Sequence, residues 1–398
     1  MRSDPRPNLL DVTRLVERSW TRRPSSGIDR VCEAYLDHFS ASSLAVVQHR
    51  GVVRVLDAKR SDRLFGWLAN GEEGFRAKCA ALLGSALAGA GAQEATAGQT
   101  YINVSHTDFD LPAHWEWVER SGLRSVYFIH DLIPILHPEY SRPHAVRRHR
   151  GRVELALRRA DHLVTGSQAV ARDLRTFAKR KGLRLPPVTV APIAGHEFVG
   201  TAKVQHAPYF LCIGTIEPRK NHALLFQVWR ALVDRMGRDA PRLVIIGQKG
   251  PMTGDILAPL AQDAVLREHI EHHEGCSDDE LGRWIAGAEG VLFPSLAEGF
   301  GLPLVEALAM DKPVLASDIP IFREIAQGCA HLLDPSSCDN WADAVKAIHC
   351  GAPGKSTTAR FKSPDWPSHF ASLENALDAQ AASSGLQSSR PCESSLAA

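Results

Sequence analysis

The sequence lacks several features that would each point to a class of function. No apolar run reaches the roughly 20 residues that a membrane-crossing helix needs. The longest candidate, CAALLGSALAGAGA at 79–92, is short and rich in small residues. The opening MRSDPRPNLL is polar and holds no apolar core, so no signal peptide is expected. Eight cysteines are scattered without a C-x-x-C pair. That pattern suits reduced thiols and a cytoplasmic location rather than a disulfide framework. Neither sign of charge is in excess, with 46 basic residues against 45 acidic ones. Bulk electrostatics therefore gives no reason to expect nucleic acid as a partner. No G-x-G-x-x-G follows a strand-like run, which argues against paired dehydrogenase domains.

What is present is a long chain with an alternating pattern. Its 398 residues, 44% of them hydrophobic, suit two domains of roughly 150–200 residues each. Apolar runs at 43–49, 100–106, 124–131, 161–167, 187–193, 208–215, 242–248 and 290–295 read as strands. Helical patterns at 222–236 and 278–288 lie between some of them. Strands alternating with helices predict an α/β chain with parallel sheets covered on both faces. The polar stretch GHEFVGTAKVQHAP at 195–208 reads as a linker, giving domains over 1–195 and 205–350. A helix is predicted over 365–380, packing back on the first domain, with a disordered tail over 381–398. Two doubly wound domains facing each other place a site in the cleft between their strands' carboxyl ends.

The residues with chemical character follow strands. In SLAEGFGLPLVEALAM, at 295–310, Glu298 stands in a loop after the strand GVLFPS. Gly299 and Gly301 allow close approach of a ligand to the backbone, and Pro303 fits the first position of a helix. The start of that helix is an anion site. Glu306 lies about one turn in, so the two carboxylates can meet one ligand at different heights. A ligand with phosphates in its middle and sugars at both ends matches, and a nucleotide sugar is such a ligand. In PYFLCIGTIEPRKN, Arg219 and Lys220 stand in the turn between strand and helix. Adjacent cations there suit a diphosphate leaving group. His130 and Asp131 end the strand-like SVYFI, a cleft position where imidazole can donate or accept a hydrogen bond near neutral pH. His106, ending TYINVSH, is a second cleft histidine. Ser167 reads as a helix N-cap.

These segments resemble the retaining GT-B glycosyltransferases of glycosyltransferase family 4. EGFGLPLVE carries the E-x7-E motif from Glu298 to Glu306. GTIEPRKN, HEGCSDDELGRWIAGAEGVLFPS and HDLIPILHPEY resemble bacterial members that build O-antigen and other surface polysaccharides, many of them mannosyltransferases. The likeness is strong over 120–330 and weak over 1–100. It implies a GT-B fold of two Rossmann-like domains and transfer with retention. By resemblance Glu298, in a loop with Gly299, Phe300, Gly301 and Leu302, holds the donor sugar, and Glu306 holds the ribose. Arg219 and Lys220 bind the diphosphate beside Gly214 and Thr215, where many members carry arginine in place of the threonine. Gly275 and Cys276 meet the base. His130 lies near the transferred sugar and acceptor, with Asp131 on the same side. Ser26 and Gly27 resemble the family's glycine-rich N-terminal loop.

The resemblance further implies front-face attack, with no metal and no cofactor; the nucleotide sugar is a substrate. GDP-mannose is the favoured donor, with UDP-, dTDP- and ADP-sugars as alternatives, and a binding subunit without turnover as another. The acceptor is a saccharide or a lipid-diphosphate-linked saccharide. The triplet Asp108-Phe109-Asp110 and the histidines of HIEHHEG (269–275) are not expected to bind metal. The arginine-dense segment 142–160 is a solvated helix face or, more sharply, a basic surface for peripheral contact with the inner membrane.

Overall fold

A computed structural model describes residues 6–87, 91–198, 203–204, 206–250, 252–352 and 361–388. The first sheet contains β1 (Asn8–Asp11), β2 (Ser43–His49), β3 (Val52–Leu56), β4 (Ala92–Gln93), β5 (Thr100–Asn103), β6 (Arg124–Phe128), β7 (His162–Thr165) and β8 (Val188–Val190). Their spatial order is β4-β3-β2-β1-β5-β6-β7-β8, with β3 and β4 joining antiparallel and the rest pairing in parallel. The second sheet contains β9 (Tyr209–Ile213), β10 (Arg242–Ile246), β11 (Ile270–His273), β12 (Gly290–Phe293), β13 (Val314–Ser317) and β14 (His331–Leu333). It is wholly parallel, in the order β11-β10-β9-β12-β13-β14.

The central strands are buried along their whole length: β5, β7, β9, β12 and β13 show no alternation of exposed residues. Helices cover both faces, which is why these strands read as continuous apolar runs. Register places Ile102 between Leu10 and Val126, and Cys212 between Ile245 and Leu292. In each sheet the order reverses at one seam, between β1 and β5 and between β9 and β12. A crevice opens at the carboxyl ends beside such a seam.

The two seams face each other at close range. A Cβ on Gly299, after β12, would stand 2.9 Å from the carbonyl oxygen of His130, after β6. One at Gly166, after β7, would stand 3.4 Å from Phe300. A single apolar core accordingly runs from Ile102 and Phe128 in the first sheet through Phe300 and Leu302 to Phe293 and Ala316 in the second.

Several elements differ from the sequence reading. β1, β3, β4, β13 and β14 were not expected as strands. β11 was not expected either: His272 and His273 of HIEHHEG lie on it, opposite Ile245 and Ile246. The helix after Pro303 begins one residue earlier, spanning Leu302–Ala309 with Gly301 as its N-cap at φ 102°. The C-terminal helix spans Trp366–Ser388, so it runs on through the start of the expected tail; residues 389–398 lie outside the described residues. Between β8 and β9 the chain crosses from one sheet to the other, and part of the expected linker, 199–202 and 205, also lies outside them.

The C-terminal helix clasps the first sheet's domain. His369 Nε2 bonds the Tyr35 hydroxyl at 2.9 Å, and its Nδ1 meets the Pro192 carbonyl at 3.1 Å. Phe370 stacks on His38 with ring centroids 3.8 Å apart and packs edge-on to Tyr35 and Phe39. Truncating so enclosed an aromatic ring leaves a cavity. Phe370→Ala should cost about 3–5 kcal/mol in denaturant unfolding; a loss below about 1 kcal/mol would show that the helix is a loose appendage.

Candidate active site

The loop after β12 is fixed by charge. Glu298 has only 7% of its side chain exposed, and it is surrounded by donors. Arg219 Nη1 reaches Oε2 at 2.7 Å, Ser295 Oγ donates to Oε1 at 2.8 Å, and Lys220 Nζ donates to the same oxygen. Burial alone would raise its pKa, but Lys220 and Arg219 together hold it down to about 2. Arg219 also bonds the Ala297 carbonyl, and its own carbonyl accepts from Leu296 N–H at 2.7 Å. The turn after β9 and the loop after β12 are thus a single unit.

The expected division of labour changes in one respect. Arg219 and Lys220 do not stand in an open basic turn: both hold Glu298, and Arg219 also pairs with Glu217 at 2.6 Å. Lys220 remains placed for an anion, because its Nζ lies over Gly214, where a Cβ would approach to 3.2 Å. Thr215 is exposed beside it. The Leu302–Ala309 helix has no side-chain cap at its start, so its first N–H groups carry the positive end of the dipole. Phe300 and Leu302, expected to touch the donor, turn their side chains away. Phe300 packs toward Gly166, and Leu302 lies 3.5 Å from where a Gly27 Cβ would stand. Only their backbone is left for a ligand, because packing between the domains claims both side chains.

Glu306 faces another set of partners. Its Oε1 accepts from Arg30 Nη1 at 2.8 Å and from His196 N–H at 2.9 Å. Burial raises its pKa, and the Arg30 guanidinium opposes that. Gly275 and Cys276 lie exposed in the loop after β11. That loop leads into the helix Asp278–Gly287, started by a Ser277–Glu280 capping box. Asp278 pairs with Arg30, so this loop and Glu306 border one region.

On the opposite wall, His130 Nε2 meets the Val104 carbonyl at 2.7 Å. A carbonyl only accepts, so Nε2 carries the proton and Nδ1 is left as an acceptor. Burial pulls the His130 pKa to about 4, so it stays neutral near neutral pH, donating from Nε2 and able to accept at Nδ1. Asp131 Oδ1 accepts from Ile133 N–H at 2.9 Å, and a Gly299 Cβ would come within 3.2 Å of Oδ2. His106 is satisfied internally: its Nε2 bonds the Phe128 carbonyl at 3.0 Å, and burial drives its pKa well down. It supports the wall rather than facing a ligand. Ser26 and Gly27 do not form a glycine-rich loop after β1, because the helix Thr13–Thr21 comes between. Ser26 instead caps the helix Gly27–Phe39 in a capping box with Asp29.

Two residues were missed. His149 donates from Nε2 to the Asp131 carbonyl at 2.9 Å and so braces the His130–Asp131 turn. Its helical spacing with the buried Val153 and Ala156 was the available signal. Arg30 gave none. The carboxylates of the D-x-D triplet are engaged: Arg148 bonds both Asp108 and Asp110, and Arg152 bonds Asp110. The same pairs draw part of the arginine-dense helix, Pro143–Arg159, inward. Ser167 caps the helix Gln168–Lys181. No described helix is long and apolar enough to cross a membrane.

Residues 197–350 match the family described as glycosyl transferases group 1. The chain is 26% identical over 261 residues to the serotype-specific mannosyltransferase WbdA of Escherichia coli, covering 61% of this chain and 32% of that protein. It is 26% identical over 223 residues to the O-antigen chain mannosyltransferase RfbU of Salmonella typhimurium, covering 55% of this chain and 59% of the relative. The chain therefore spans about a third of the first relative and under two thirds of the second. Among solved structures, Anabaena HepE in complex with UDP-glucose aligns over 93% of this chain and 99% of its own, with TM-score 0.63 and 14% identity. Sucrose-phosphate synthase from Thermosynechococcus elongatus aligns over 97% and 100%, with TM-score 0.59 and 16% identity. The fold is GT-B, two parallel-sheet α/β domains facing a cleft.

The buried histidines set a pH response. His114 is held near about 3, and His130, His222 and His369 near about 4, each depressed by burial from 6.5. The unfolded chain takes up protons below about 6.5 that the folded chain refuses, so stability is full above that pH and falls toward 4. Asp11, raised by burial to about 6, opposes this over part of the window, as do Asp173 and Glu306, which burial also raises, but the depressed histidines are more numerous. Melting temperature should drop steadily between pH 6.5 and 4.5, and His130→Gln should flatten the slope. A constant melting temperature over that window would contradict the assignment.

Proposed function

We propose that the protein is a retaining, metal-independent glycosyltransferase that moves a hexose from a nucleotide sugar to a saccharide or lipid-linked acceptor. The observation that carries this reading is the Glu298 carboxylate, held by Arg219 and Lys220 beside an uncapped helix start and opposite His130 and Asp131. Mannose from GDP-mannose is the favoured donor, supported by the names of the O-antigen relatives.

In this reading the diphosphate lies between Lys220, the Gly214 turn and the Leu302–Ala309 helix start. Its oxygens compete with Glu298 for Lys220 and Arg219, leaving the carboxylate to accept from a hydroxyl of the transferred sugar. The bond from the sugar's anomeric carbon to the diphosphate breaks, and the acceptor oxygen forms the new bond on the same face. The departing diphosphate oxygen takes the acceptor proton. Neutral His130 offers Nδ1 to a sugar hydroxyl and helps to hold the reacting groups in line. The acceptor fits a cavity of about 250 Å³ lined by Asp131, Leu136, Ala169, Asp173, Glu298 and Ile319. Apolar and charged side chains together suit a single sugar ring, whose C–H face and hydroxyls need different partners. The exposed Arg147, Arg150 and Arg158 supply a basic surface for a lipid diphosphate at a membrane.

Thermal-shift measurements with GDP-, UDP-, dTDP- and ADP-sugars test the donor; no stabilisation by any of them would sink the reading. Lys220→Ala should weaken nucleoside-diphosphate binding by about 1.5–3 kcal/mol, the range for a hydrogen bond to a charged group. His130→Ala should instead lower kcat while diphosphate affinity stays near wild type. Equal losses of affinity in the two variants would put His130 on the wrong side of the cleft. Turnover should also survive EDTA; full loss restored by manganese would overturn metal independence.

A further inference from the structure

Glu306 is the most enclosed carboxylate of the site, and only one of its oxygens is satisfied. Its side chain has no exposure. Oε1 takes both bonds, from Arg30 and from His196 N–H, while Oε2 is buried without any partner among the described residues. A buried, unpaired oxygen on a charged group is destabilising. Such an atom points to a ligand donor that is to come.

Arg30 belongs to the other domain. It lies on the helix Gly27–Phe39, whose start is fixed by the Ser26–Asp29 capping box and by Arg14, which bonds Asp29 at 2.6 Å. From there its guanidinium forks: Nη1 meets Glu306, and Nη2 meets Asp278, which follows the Gly275–Cys276 loop. The connector closes the same region, since a Cβ on Gly195 would stand 2.7 Å from Glu306 Cγ. Glu306 is thus enclosed by the acceptor-side helix, the connector and its own helix.

We propose that Arg30 is a positioning residue for the nucleotide, supplied across the cleft by the acceptor-side domain. It keeps Glu306 ionised and turned so that Oε2 accepts from the hydroxyls of a ribose. It also ties the Gly275–Asp278 loop to the same point. The nucleotide site is therefore built from both domains. This rests on the reading of Glu306 as the ribose partner.

Calorimetry with GDP and with UDP tests it in wild type, Arg30→Ala, Arg30→Lys, Glu306→Ala and the double variant Arg30→Ala/Glu306→Ala. Arg30→Ala should weaken binding of whichever diphosphate the wild type takes by about 10-fold, or 1.4 kcal/mol, and Arg30→Lys should recover part of it. The double variant should bind no worse than Glu306→Ala alone, because residues acting through one another are not additive. Unchanged or tighter binding by Arg30→Ala, with Glu306→Ala weakened, overturns the role of Arg30 and leaves Glu306 in place. If Glu306→Ala binds normally while Lys220→Ala does not, the ribose reading fails instead. If wild type binds neither diphosphate, both fall.

Discussion

A carboxylate with 7% of its side chain exposed stays ionised only where cations and hydrogen-bond donors replace the water it has lost. Glu298 meets that condition through Arg219, Lys220 and Ser295, and the rest of the cleft follows from it. Those contacts lock the turn after β9 to the loop after β12, the two strands flanking the seam of the second sheet. With the loop fixed, Gly299 lies against the His130 carbonyl, and Phe300 and Leu302 enter the core shared with the first sheet. The polar cluster and the apolar contact are therefore one arrangement.

Opposing charges also hold the site ready. Glu298 compensates Lys220 and Arg219, which avoids two partly buried cations with nothing to neutralise them. In the proposed reading a diphosphate exchanges with that carboxylate at the same donors. His130 contributes in the opposite manner. Kept neutral by burial and held in one tautomer by its bond to the Val104 carbonyl, it adds no third cation near that cluster.

Much of the frame was legible in the sequence because it is written in local signals. β9 is a continuous apolar run followed by Gly214, β12 is one followed by Pro294, and the helix after Gly301 is announced by glycine and proline. β1 was not legible. It is four residues long and ends in Asp11, which reads as a turn residue. Only the fold shows that Asp11 is received by Gln48, Tyr101 and Thr13 N–H. The motif placed Glu298 and Glu306 in the cleft, but it was silent on which way Phe300 and Leu302 point, since that depends on where a second domain docks. Arg30 was beyond reach for the same reason: its partner Glu306 is 276 residues away. In RRPSSGIDRV it is simply one of several arginines.

Closure of the cleft rests on contacts of moderate strength at its two ends. At one end Arg30 bridges to Asp278 and Glu306. At the other, Glu324 of the second domain accepts from Gln168 and Ala169 N–H at 2.6 and 2.8 Å, meeting the positive end of the Gln168–Lys181 helix dipole. Asp278 is half exposed and Arg172, near Glu324, more so. Pairs so open to water contribute about 0–1 kcal/mol each. Between them Phe300 and Leu302 enter the apolar core that both sheets share. The Arg30–Glu306 contact is of another kind: the Glu306 side chain has no exposure, so removing the guanidinium leaves a buried carboxylate without its counter-charge, which costs far more than losing a pair in water.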